Sequence, residues 1–287
     1  MTGLTHPLRV LAIALAAMLL LGGHLAAQNL ELLFLDVGQG DAVLITSPEG
    51  RRVLIDAGAP RTLVRAQLRA RGVDTIDLAI ASHNHSDHIG GMEAVLRGRP
   101  VRFYLDNGVP HTTATYRRVI AAVAERGTQY LQPTARTITL GSVRLRVLPP
   151  PGLAGEQNDN SVGILLEYGT FRALFTGDSE HAELAHWLAR DSVPRVMVVK
   201  AAHHGSWNGT TTAWAERTRP GVVVISVGAG NSYGHPSPAA LAQWQAVGAR
   251  IYRTDQDGDV LITVRPDGVF NVTRRAPRAA AAAERRE

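Results

Sequence analysis

Ser82-His83-Asn84-His85-Ser86-Asp87-His88-Ile89-Gly90-Gly91 places four residues with metal-binding side chains within six positions. The apolar run at 76–81 leads into it and reads as a buried strand. Met92, Val95 and Leu96 after it read as a short helix closed by Gly98. The cluster therefore falls on a strand-to-helix loop, where side chains converge without breaking a ladder. His83 and His85, two apart, reach one cation through neutral imidazole nitrogens. Asp87 and His88 turn to a second. Imidazole and carboxylate suit zinc, with manganese or iron as alternatives. A lone His in such a loop would read as a polar turn; four potential ligands this close do not.

The chain has 287 residues, enough for a large core in one domain or two, and its 45% apolar content is that of a globular protein. Formal net charge is +5, carried almost entirely by Arg, with Lys200 the only lysine. This fits a polyanionic partner, although several Arg fall in the tail. There is no cysteine, which excludes disulfides and thiolate ligands.

Arg9, the apolar run 10–21, Gly22-Gly23 and Leu25-Ala26-Ala27 have the succession of a secretory signal peptide, cut after Ala27. The alternative is an uncleaved anchor, for which the run is short of the roughly 20 residues that a spanning helix needs. Export to the periplasm or the outside follows, with no membrane span in the mature chain. Residues 28–273 are expected to form the working domain, and the Ala- and Arg-rich tail 274–287 to be disordered.

Between these ends, strands are expected at 30–36, 42–46, 52–56, 101–105, 137–140, 143–148, 161–168, 171–175, 196–201, 222–227, 251–253, 260–265 and 269–273. Helices are expected at 61–71, 115–126, 180–190, 211–218 and 238–247. Hairpins with helices between them indicate a mixed α/β (α+β) fold, two sheets packed face to face with helices outside. Every polar cluster falls at a strand end, which gathers them on one rim.

Three later clusters carry chemistry. Asp178 follows a hydrophobic strand and Gly177; it reads as a carboxylate bridging two cations, against the simpler reading of a helix cap. His203 and His204 follow another buried strand. Alternation would send one to metal and the other to substrate, without saying which. His235, before Pro236, is a general acid, a phosphate contact or a turn residue. Lys200, Asn160 and Ser206 are the polar groups expected to meet substrate. Asp36, Gln39, Asp41 and Asp56 are expected to shape the loops beneath the metals.

This assembly resembles the metallo-β-lactamase superfamily and, more narrowly, the soluble hydrolase domains of the ComEC competence family. The likeness is carried by Leu35-Asp36-Val37-Gly38-Gln39-Gly40-Asp41-Ala42, His83 to Gly91, Asn158 to Ser161 and Thr176-Gly177-Asp178. Lys200, His203 to Ser206 and Tyr233-Gly234-His235-Pro236 complete it. The resemblance implies a four-layer αββα sandwich with a dinuclear site. His83 and His85 would bind one metal, Asp87 and His88 the other, and Asp178 would bridge them. His204 is the preferred remaining ligand, with His203 as a substrate contact. Two departures stand out. A third His common on the first metal is replaced by the polar run 158–161, and Ala201-Ala202 stand where such sequences often have a Gly.

The function expected is an exported phosphodiesterase or nuclease that acts on DNA through a hydroxide activated by two divalent cations, Zn2+ or Mn2+. Asp87, His203 and His235 would attend the reaction. The competing readings are another esterase or a lactamase of the same fold, and a DNA-binding module of competence without turnover.

Overall fold

The computed structural model describes residues 29–61, 63–152 and 156–275. The expected leader, and the tail beyond Arg275, lie outside these residues. The first part of the chain forms β1 (Leu30–Phe34), β2 (Val43–Thr46), β3 (Arg52–Ile55), α1 (Val64–Ala70), β4 (Ile76–Ile80), α2 (Ser86–Ile89), α3 (Met92–Gly98), β5 (Val101–Leu105), α4 (Ala114–Glu125) and β6 (Gln129–Leu131). Then come β7 (Arg136–Leu140), β8 (Val143–Leu148), β9 (Gly163–Tyr168), β10 (Phe171–Phe175), α5 (His181–Ala189), β11 (Val198–Lys200), α6 (Thr212–Thr218) and β12 (Val222–Ile225). The last elements are α7 (Pro238–Ala246), β13 (Arg250–Arg253), α8 (Thr254–Asp257), β14 (Asp259–Val264) and β15 (Phe270–Arg275).

Alternation decides what each strand faces. Leu30, Leu32 and Phe34 of β1 join a core between two sheets, together with Val53 and Ile55, Ile164 and Leu166, and Val222 and Val224. Their neighbours turn outward. Leu54 and Ala79 meet Leu68, Met92 and Val119 from α1, α3 and α4. Leu165, Val223 and Ile225 meet Leu184, Trp214 and Trp244 from α5, α6 and α7. Strands buried on both faces need apolar residues at consecutive positions, as in the sequence Val-Val-Val-Ile of β12. The result is the expected four layers, helices–sheet–sheet–helices.

One sheet has eight strands in the order β15-β14-β1-β2-β3-β4-β5-β6, and the other seven, β13-β12-β11-β10-β9-β8-β7. The strands β3, β4, β5 and β6 run parallel, as do β10, β11, β12 and β13. Loops leaving their carboxyl ends share one rim, where ligands of open α/β sheets bind.

Helix ends follow local chemistry. Thr113, Thr211 and Ser237 accept from the backbone N–H three residues on, at 3.3, 3.1 and 3.1 Å. Pro238 occupies the first turn of α7, where its missing N–H costs nothing.

Several expected boundaries move. The helix expected over 61–71 covers only Val64–Ala70. The strand β6 was not foreseen, because two of its three residues are exposed and give no alternation. The last strand runs to Arg275, two residues past the expected domain edge at 273. The most consequential change is at 201–204. Strand β11 stops at Lys200, and His203 and His204 sit in a 3-10 turn with φ/ψ of 48/48° and 52/26°. Left-handed backbone, not strand alternation, parts the two imidazoles. Among the described residues no helix is long and apolar enough to cross a membrane.

Candidate metal centre and catalytic cleft

Asp178 stands at the middle of the rim. It follows β10 through Gly177, whose φ is +52° and whose missing side chain would lie 2.6 Å from Ser82 Cβ. Only glycine gives both the left-handed turn and this close approach. Ser161 Oγ accepts from Asp178 N–H at 3.2 Å and fixes the turn.

Asp178 Oδ2 lies 3.1 Å from His88 Nε2, 3.3 Å from His204 Nε2 and 4.0 Å from His83 Nε2. The carboxylate of Asp87 approaches from the open side, its Oδ2 3.2 Å from His204 Nε2. Asp87, His88, Asp178 and His204 each present a ligand atom, all within 4.8 Å of one another. On the other side of Asp178, His83 Nε2 and His85 Nδ1 face each other at 3.0 Å. The six residues expected as ligands are thus brought together, with Asp178 between the two groups. Asp87 and His88 lie together in the single helical turn α2, which a plain loop reading did not anticipate.

Each buried imidazole is oriented from behind. Asp56, at the end of β3, accepts from Ser82 N–H at 2.7 Å, from Ser82 Oγ at 2.8 Å and from His88 Nδ1–H at 2.9 Å. With its hydrogen committed to Asp56, Ser82 Oγ accepts from His83 Nδ1–H at 3.2 Å. His204 Nδ1–H donates to Ser226 O at 2.9 Å. His83, His88 and His204 therefore keep Nδ1 for the protein and aim Nε2 at the centre, the tautomer a metal ligand requires. Asp41 and Asp56 hold the supporting positions expected of them. Gln39 braces a loop as well, its side-chain carbonyl accepting from Gly228 N–H at 3.1 Å, and it also lines the cleft.

The charges say what the centre lacks. Burial would raise the pKa of Asp178, but His204 and His88 hold it well below the carboxylate range. Burial pushes His88 and His204 down, yet Asp178 with Asp56 on one and Asp41 on the other lifts both well above an ordinary imidazole. Burial also opposes ionisation of Asp87, but His88 and His204 bring it to about 2. The anionic cluster thus draws protons onto its own ligands, where a cation would displace them. Buried Asp178 Oδ1 has no hydrogen-bond partner, which ordinarily costs about 1–3 kcal/mol. The donor set of imidazole and carboxylate without thiolate fits a zinc- or manganese-type divalent cation.

Three expected substrate contacts are corrected. Lys200 is 2% exposed; it pairs with Asp41, donates to Gly177 O at 2.9 Å and sits 3.6 Å from Asp178 Oδ1. It neutralises the carboxylates from beneath and does not reach the cleft. Asn160 is fully buried and donates to Glu156 O. Ser206, 3% exposed, spends its N–H on His203 O at 2.8 Å. The run 158–161 mainly supports the site: Asp159 Oδ1 accepts from the N–H groups of Glu180 and Glu183 at the start of α5.

The open cleft has a volume of about 380 Å³. His203 and His235 line it as expected, their rings 5.4 Å apart. Asn158, His111 and Tyr233 line it too. His111 was missed, since it stands alone in the sequence between β5 and α4; its ring lies 5.8 Å from that of His85. Glu180 was missed as well. Its Oε1 accepts from Asn158 Nδ2 at 2.8 Å and lies 3.1 Å from His203 Nδ1. Its place two residues after Asp178 was the available signal.

The sandwich and its His/Asp rim are those of a metal-dependent hydrolase fold. The chain belongs to the metallo-beta-lactamase superfamily, whose family model matches residues 35–229. It is 27% identical over 253 residues to ComE operon protein 3 of Bacillus subtilis (strain 168), covering 80% of this chain and 32% of that protein. It is 28% identical over 241 residues to competence protein ComA of Neisseria gonorrhoeae, covering 82% and 32%. The chain therefore spans about a third of the length of these relatives. Among solved structures it resembles the metallo-beta-lactamase fold protein YhfI from Bacillus subtilis, with TM-score 0.54, 12% identity and coverage of 86% and 100%.

Asp56→Asn tests the orienting role. The amide would present a donor to His88 Nδ1 or to Ser82 Oγ and push the imidazole proton to Nε2. Divalent-cation affinity, measured by competition with a chelator, should fall roughly 10- to 100-fold. Unchanged affinity would show that Asp56 does not set the ligand tautomer.

Proposed function

We propose that the protein is an exported phosphodiesterase that acts on nucleic acid, most specifically DNA, with two divalent cations at the Asp178 centre. The observation that carries this reading is the pair of donor groups on either side of Asp178, opening into an imidazole-lined cleft. His83 and His85 would hold one cation, Asp87, His88 and His204 the other, and Asp178 both. When bound, the cations supply activation of water and neutralisation of charge on the leaving oxygen.

The chain's own residues do the rest. Asp41, Asp56, Asp87 and Asp178 with Lys200 make a centre of charge near −3. Two dications would turn it to about +1, which favours a reacting group that is itself anionic, as a phosphodiester is, over the neutral amide of a lactam. His203, backed by Glu180, and His235 face the cleft and are the groups that hold or transfer a proton at the substrate. His111, Asn158 and Tyr233 offer further donors to phosphate oxygens. The competence relatives favour nucleic acid as the source of the phosphodiester. A complete ligand set speaks against a binding module that has lost turnover.

Export rests on the leader-like residues 1–27. The mass of the chain recovered outside the cytoplasm reads it: a start near Gln28 is expected, and an intact Met1 in the membrane fraction would replace the cleaved form by an anchor.

The substrate reading is tested by kcat/KM for DNA, bis-p-nitrophenyl phosphate and a chromogenic cephalosporin, with zinc and with manganese. Turnover of both phosphodiesters and little of the cephalosporin is expected. Efficient cephalosporin turnover with inert phosphodiesters under both metals would overturn it, and no turnover of any with metal bound would favour the binding module.

A further inference from the structure

Five large apolar side chains are exposed among the described residues, and the two most exposed are Trp207 at 61% and Tyr233 at 68%; Tyr233 lines the cleft, and Trp207 follows the turn that brings His203 and His204 to it. Each ring presents a large apolar face that a stacking partner could cover, with a polar handle at its edge. Trp207 opens a 3-10 turn directly after the turn that carries His203 and His204. Its ring meets His181 edge-on, with centroids 5.3 Å apart and planes at 81°, so the indole is not covered by a stacked neighbour there. Tyr233 stacks on His235 at 5.8 Å and 17°, which occupies one face and leaves the other.

Ring contacts and one step along the chain connect the two rings. His181 follows Glu180, which lies 3.1 Å from His203. The ring of His203 lies 5.4 Å from that of His235, and His235 carries Tyr233. The aromatic line thus runs past the residues placed at the reacting phosphate. Asn231 Oδ1 accepts from the N–H groups of Tyr233 and His235 at 3.2 and 3.1 Å, which braces that end of it.

We propose that Trp207 and Tyr233 are stacking platforms for unpaired bases on either side of the scissile phosphodiester, so that the site prefers single-stranded nucleic acid. This rests on the phosphodiesterase reading above. Every base has a π-face, so stacking on aromatic side chains holds a strand without reading its sequence. Bases in a duplex are already stacked on one another and reach such rings only after being flipped out.

Tryptophan fluorescence gives a readout separate from turnover. Trp187, Trp214 and Trp244 are at most 1% exposed, so Trp207 is the one indole that a ligand can reach. The metal-loaded full chain is mixed rapidly with oligothymidylate and followed before cleavage. Saturable quenching is expected, weaker with a duplex of equal length, and absent in Trp207→Phe. In steady state, Trp207→Ala should raise KM for the single strand roughly tenfold, and far more than KM for bis-p-nitrophenyl phosphate, which carries no base. Cleavage of the small phosphodiester without quenching by oligothymidylate would overturn the stacking proposal and leave the phosphodiesterase reading standing. Equal quenching by duplex would overturn the single-strand preference. Quenching without cleavage of any phosphodiester would support the platforms and remove the phosphodiesterase reading.

Discussion

His88 lies between two buried carboxylates, with Nδ1 2.9 Å from Asp56 and Nε2 3.1 Å from Asp178. Much of the rest of the structure serves to keep that arrangement out of water. Isolated charges cannot be buried at such density; they must be paired, hydrogen-bonded or joined by a metal. Lys200 supplies one countercharge from beneath, and the backbone of Ser82 supplies a donor to Asp56. What remains is an excess of negative charge facing a cleft, which describes a cation site rather than a stabilising salt-bridge network.

The fold positions this excess through strand direction. Asp56, the His loop and the carboxyl end of β5 come from neighbouring parallel strands of one sheet, and Asp178, the His203–His204 turn and Ser226 from neighbouring strands of the other. The inter-sheet core of Leu32, Phe34, Ile164 and Leu166 sets the distance between the two rims. A backbone bond stitches them across the gap, Val162 N–H donating to Ser82 O at 2.7 Å, while His203 N–H donates to Gly177 O at 3.2 Å within the second rim. A ligand set drawn from both sheets is therefore sensitive to their packing.

Much of this was legible in the sequence. The density of ligands at His83–His88, together with periodicity, led to the layers, to the four ligands of that loop and to Asp178, while the choice of His204 over His203 came from the family resemblance. What was not legible depends on burial and on backbone conformation. Lys200 looked like a phosphate contact because position alone does not reveal that Asp41 and Gly177 O claim its ammonium. The roles of His203 and His204 could not be derived from alternation, since the chain leaves β11 into left-handed conformation before reaching them. His111 and Glu180 became visible only when separate segments met at the cleft.

The central claim is that Asp178 joins two cation sites. Metal content by elemental analysis of the purified protein and of Asp178→Ala, with circular dichroism as the check on folding, tests it most directly. The account predicts two divalent cations per chain in the native protein and loss of both from a folded variant. A folded Asp178→Ala chain that keeps its full metal content would contradict it.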